Sequence, residues 1–84
     1  MARHDQTLRQ VFQRPTRADL RWADVVALLK RLGAVVTAGR GSRVRFDLRG
    51  RTLTLHRPHP GNELPKYAVE NVRRFLAECE GNEP

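Results

Sequence analysis

Between Gly39 and His59 the chain gathers the residue types best suited to phosphate chemistry: a glycine loop, Gly39-Arg40-Gly41-Ser42, then Arg43 and Arg45, and further on His56, Arg57 and His59. When RNA is cut without a metal, the 2′-hydroxyl attacks its own phosphate, so the site must supply a proton acceptor and a cation for the developing charge. Histidine changes protonation near neutral pH, and the arginine guanidinium binds phosphate through two parallel N–H donors. His56 is therefore the candidate general base, and Arg43 the candidate group for phosphate and transition-state charge. Arg40, Gly41, Ser42, Arg45, Arg57 and His59 are candidate RNA contacts. The plainer alternative makes Arg43 and His56 ordinary solvated neighbours across a hairpin. For His59, which stands between Pro58 and Pro60, fixing the loop is favoured over catalysis.

Charge supports a polyanionic partner. Lys plus Arg total 16 against 9 Asp plus Glu, for a formal charge of +7. All but Lys30 and Lys66 of those cations are Arg. The excess is concentrated in residues 39–66, where seven cations face two anions, while residues 67–84 carry two Arg and four Glu. A basic patch of this kind is the electrostatic footprint of nucleic-acid binding. Other chemistries are not supported. The sequence has no G-x-x-x-x-G-K-[ST] or G-x-G-x-x-G phosphate loop, and a single cysteine, Cys79, excludes an internal disulfide and a CxxC zinc site. No cofactor and no metal are expected. With no apolar run near membrane length and no apolar leader, the expectation is a cytoplasmic protein with no membrane partner.

The elements that must position these residues follow from periodicity. Eighty-four residues allow one small domain. Residues 1–19 show no sustained period and read as a flexible basic arm, with 81–84 a tail and 20–80 the folded domain. From Trp22 to Leu32, the residues Trp22, Val25, Val26, Leu29 and Leu32 fall on one helical stripe, with Gly33 as the stop. Asp19 or Asp24 suits the positive end of that helix. Ala34–Thr37 is a short β-branched run. Arg43–Leu48 and Arg51–His56 both alternate polar and apolar around Arg49-Gly50, which predicts a hairpin with a two-residue turn. That turn opposes Arg43 to His56, Val44 to Leu55, Arg45 to Thr54 and Phe46 to Leu53. The proline-rich segment 57–65 is a loop. Ala68, Val69, Val72, Phe75, Leu76 and Cys79 then form the apolar face of a last helix, with Cys79 a small core residue. The fold class is α+β: a two-layer α-β-β-β-α domain with an antiparallel three-stranded sheet. Both helices cover one face, leaving the Arg43/His56 face open.

The run from Trp22 through Leu76 resembles the HicA toxins of bacterial type II toxin–antitoxin pairs. The likeness is carried by the helix ending Leu32-Gly33-Ala34, the Gly41-Ser42 pair opening a strand, and His59-Pro60-Gly61-Asn62-Glu63-Leu64 before the last helix. It implies a double-stranded-RNA-binding-like fold. It also implies a metal-independent endoribonuclease, an mRNA interferase that binds and cleaves mRNA, blocks translation and is neutralised by a HicB-like antitoxin. Family members with ribonuclease chemistry look to carry a histidine directly after the Gly-Ser pair, where this chain has Arg43. A guanidinium stays protonated and cannot act as a general base. Two readings therefore stand side by side: a ribonuclease with His56 as its base, or a module that binds RNA without cutting it.

Overall fold

The computed structural model describes residues 3–80, in the order α1 (Arg3–Val11), α2 (Trp22–Arg31), β1 (Val35–Ala38), β2 (Arg43–Leu48), β3 (Arg51–His56) and α3 (Lys66–Cys79). The strands form one antiparallel sheet in the order β1-β2-β3. Residues 81–84, expected as a tail, lie outside the described residues.

The β2–β3 hairpin has the register that its alternation demands. Arg43 pairs with His56, Val44 with Leu55, Arg45 with Thr54 and Phe46 with Leu53. Arg49 and Gly50 both take positive φ, 52° and 78°, the backbone of a type I′ turn whose twist matches that of the strands. Because side chains alternate along a strand, this register sends Val44, Phe46, Leu48, Leu53 and Leu55 into the core and leaves Arg43, Arg45, Thr54 and His56 exposed. Phe46 is the centre of the packing: it is fully buried, and its ring meets Trp22 edge-on at 6.1 Å.

On the helical side, α3 buries the expected six residues, Ala68, Val69, Val72, Phe75, Leu76 and Cys79. Burial pushes the Cys79 thiol up from its ordinary pKa, with Arg51 and Arg49 opposing the shift, and its Sγ lies 3.6 Å from the Leu48 carbonyl. Both observations suit a core residue. Helix α2 buries Val25, Leu28 and Leu29. Leu28, absent from the expected stripe, is in the core, whereas Leu32 is 38% exposed. The reason is where the helix ends. Leu32 is the C-cap, Gly33 follows with φ 108°, and Gly33 N–H and Ala34 N–H donate to Lys30 O and Leu29 O, a Schellman ending that turns Leu32 outward. Asp24 lies in the first turn of α2, while Asp19 instead pairs with Arg17 at 2.7 Å.

One expectation needs correction. Arg3–Val11, read as part of a flexible arm, is a helix that packs on α2 and α3, with Val11 fully buried and Thr7 3% exposed. Its apolar stripe consists of little more than Leu8 and Val11, too short to show a period. Polar chemistry completes the docking. The Arg73 guanidinium on α3 donates to Val11 O at 3.1 Å, Gln13 O at 3.2 Å and Thr16 Oγ1 at 2.9 Å, closing the carbonyl end of α1 with a cation.

Candidate functional site

The open sheet face ends at the β1–β2 loop, where most of the candidate residues meet. Gly39 N–H donates to Arg43 O at 2.8 Å and Arg43 N–H to Arg40 O at 3.1 Å, folding residues 39–43 into a tight turn. A Cβ at Gly39 would stand 3.3 Å from the Arg43 carbonyl, and Gly41 has φ 60°. Both glycines therefore have a backbone reason to be there. On the far side, Arg57 N–H donates to Ser42 O at 2.8 Å, so Arg57 continues the ladder just past the Arg43/His56 pair. Counting outward from the turn, that pair is of the kind without its own ladder bonds, in which side chains approach most closely.

Ser42 Oγ lies 3.3 Å from His56 Nδ1. Sequence reasoning placed Ser42 and His56 separately and missed this contact, although Ser42 adjoins Arg43 and His56 is the register partner of Arg43. The contact orients the ring in either tautomer: with the proton on Nδ1 it is donated to Ser42 Oγ and Nε2 is an acceptor, and with the proton on Nε2 the Ser42 hydroxyl donates to Nδ1. Ser42, Arg43 and His56 are all exposed, as a site for a large substrate must be. The side chains of Arg40, Arg43 and Arg57 make no ion pair or hydrogen bond among the described residues.

Arg45 behaves differently. Its Nε donates to both carboxylate oxygens of Asp47, at 3.1 and 2.9 Å, and Asp47 Oδ1 also accepts from Thr52 Oγ1 at 2.7 Å. The Thr52 hydroxyl bond, the largest influence, holds the Asp47 carboxyl below its usual pKa against desolvation, the next largest, and the bond and charge of Arg45 lower it further. The signal was present in the alternation, which puts residues 45 and 47 on the same face. His59 is exposed, and no hydrogen bond or ion pair joins it to the others. Its loop is held from the other side: Trp22 N–H donates to Asn62 O at 2.7 Å and Leu64 N–H to Leu20 O at 2.8 Å, an antiparallel backbone bridge centred on Arg21 and Glu63. The structure thus brings together Arg40, Gly41, Ser42, Arg43, His56 and Arg57, and leaves Arg45 and His59 apart from them. Among the described residues, no three His, Cys, Asp or Glu side chains form a group able to hold a metal ion, and no helix is long and apolar enough to cross a membrane.

Fold and surface together define a small basic α+β domain whose acid–base and cationic groups are concentrated at one end of an open sheet. Residues 22–77 match the family model described as HicA toxin of bacterial toxin-antitoxin, and the chain belongs to that family. It is a toxin of a toxin–antitoxin system, and its partner is an antitoxin. Helix α1 precedes the matched span. No curated protein and no solved structure matches the chain.

Proposed function

We propose that this toxin is a metal-independent endoribonuclease that acts on mRNA in the cytoplasm, inhibits translation and is neutralised by a HicB-type antitoxin. The observation that carries the reading is the 3.3 Å approach of Ser42 Oγ to His56 Nδ1, directly beside the register partner Arg43. Ser42 holds the ring, and His56 Nε2 takes the proton of the 2′-hydroxyl. The O2′–P bond forms as the P–O5′ bond breaks, giving a 2′,3′-cyclic phosphate and a 5′-hydroxyl, with water protonating the departing oxygen. The Arg43 guanidinium stabilises the charge that builds on the phosphate, and His56 returns its proton to solvent.

The test is induction of the parent, His56→Ala and His59→Ala, followed by RNA cleavage in vitro with a chelator present. The parent and His59→Ala should arrest growth and cut RNA, and His56→Ala should do neither. Full activity in His56→Ala sinks the assignment. Arg43 at the position of the family's histidine favours a second reading, a non-catalytic RNA-binding module, which takes over if the parent itself neither arrests growth nor cuts RNA.

A further inference from the structure

The open face of the sheet is not uniformly basic. At the loop end, the guanidiniums of Arg40, Arg43 and Arg57 have no partner among the described residues, and the backbone bonds Arg43 N–H to Arg40 O and Arg57 N–H to Ser42 O bring the three residues to adjacent positions. Four residues down β2, a distance of about 13 Å along a strand, Asp47 faces the same way. Its carboxylate occupies Arg45 through two contacts and takes the Thr52 hydroxyl as well. Arg45 and Asp47 keep 60% and 34% of their side-chain surface, so the pair lies on the surface that an RNA strand would cross. Thr52, the outward residue just past the turn, is uncharged. Cationic character therefore falls away from the loop end toward the turn.

We propose that Asp47 is a specificity-determining residue. It removes Arg45 from RNA binding and sets a fixed anion on the open face, confining RNA to one or two consecutive phosphates at the Arg40/Arg43/Arg57 end. This rests on the RNA-binding reading above and narrows its footprint. A strand laid down the length of the sheet would carry its phosphates over a carboxylate that stays ionised and is already satisfied by two donors. A strand that touches only the loop end meets the guanidiniums of Arg40, Arg43 and Arg57 and the His56 ring. Such a footprint suits a cutter of exposed single strands with little preference for length. The outward positions of the open face are Val35, Thr37, Arg43, Arg45, Asp47, Thr52, Thr54 and His56, so its one ring able to stack on a base, His56, also lies at the loop end.

The experiment is fluorescence anisotropy on a labelled single-stranded oligoribonucleotide whose 2′-hydroxyls are methylated, so that binding is read without cleavage. It compares the full-length parent, Arg43→Ala, Arg45→Ala and Asp47→Asn. The parent's log affinity should fall against log salt with a slope of about 0.7–1.4, the value for one or two phosphate contacts on a single strand. Arg43→Ala should lose about tenfold in affinity. Arg45→Ala should stay within about twofold of the parent. Asp47→Asn keeps the Thr52 bond, frees Arg45, and should gain several-fold in affinity with a slope steeper by about 0.7. Thermal melts confirm that each variant is folded, and Arg45→Ala reads the same claim from the other side of the pair. Arg45→Ala as weak as Arg43→Ala, or Asp47→Asn no tighter than the parent, overturns the inference while the RNA reading stands. No binding by the parent at low salt overturns both.

Discussion

Arginines on the two sides of this molecule do different work. On the helical side, Arg73 spends its guanidinium on two backbone carbonyls and a hydroxyl at the end of α1, and Arg49 reaches the Cys79 carbonyl at 3.0 Å. At the loop end of the sheet, Arg40, Arg43 and Arg57 have no such partners among the described residues. The first group replaces the water that helix-end carbonyls would otherwise keep; the second is left for a ligand. A chain with 16 cations therefore has a much smaller basic site than its net charge suggests, and only the hydrogen-bond partners tell the groups apart.

The comparison breaks most visibly at Arg73. Removing it leaves three acceptors without their donor, so Arg73→Ala should cost about 2–3 kcal/mol in urea unfolding, while RNA affinity of the folded variant stays within about twofold of the parent. Arg43→Ala is the mirror image, with the tenfold loss in RNA affinity given above and stability within about 0.5 kcal/mol of the parent. If Arg43→Ala unfolds the protein, the division is wrong. Arg49→Ala keeps the positive φ of the turn and loses only the bond to Cys79, an expected cost of about 1 kcal/mol by chemical denaturation. The smallest effect is pH-dependent. Because the folded-state pKa of Asp47 is lowered, its bonds to Thr52 and Arg45 contribute fully above the ordinary carboxylate value of about 4 and are lost as pH falls through the lowered one. Parent and Asp47→Asn should therefore differ in urea midpoint at neutral pH and converge in strong acid. An undiminished difference in acid would mean that the carboxylate is not the source.

The hairpin was legible because two independent signals fixed it: strict alternation gave the faces, and a two-residue turn gave the register. The last helix was legible for the same reason, six apolar residues at helical spacing. Helix α1 was not, since Leu8 and Val11 make too short a stripe and the clamp that holds it comes from Arg73, far along the chain. Leu28 was hidden by its neighbour Leu29, and only the Schellman ending decides that Leu32 turns outward. In the site, residue types and the Arg43/His56 opposition could be read directly. The Ser42–His56 contact could not, because it depends on how the glycine loop folds back, and the loss of Arg45 to Asp47 depends on side-chain geometry that alternation permits without requiring.

The clamp on α1 also has a consequence for synthesis. Arg73 and Val11 are 62 residues apart, so α1 leaves the ribosome 62 residues ahead of its guanidinium partner. Since chains emerge N-terminus first at roughly 5–20 residues per second, α1 spends several seconds outside the tunnel with its carbonyl end open to water. The carbonyl end of α1 thus receives its cation only when α3 has been made, whatever cover α2 gives the apolar side of α1 before then.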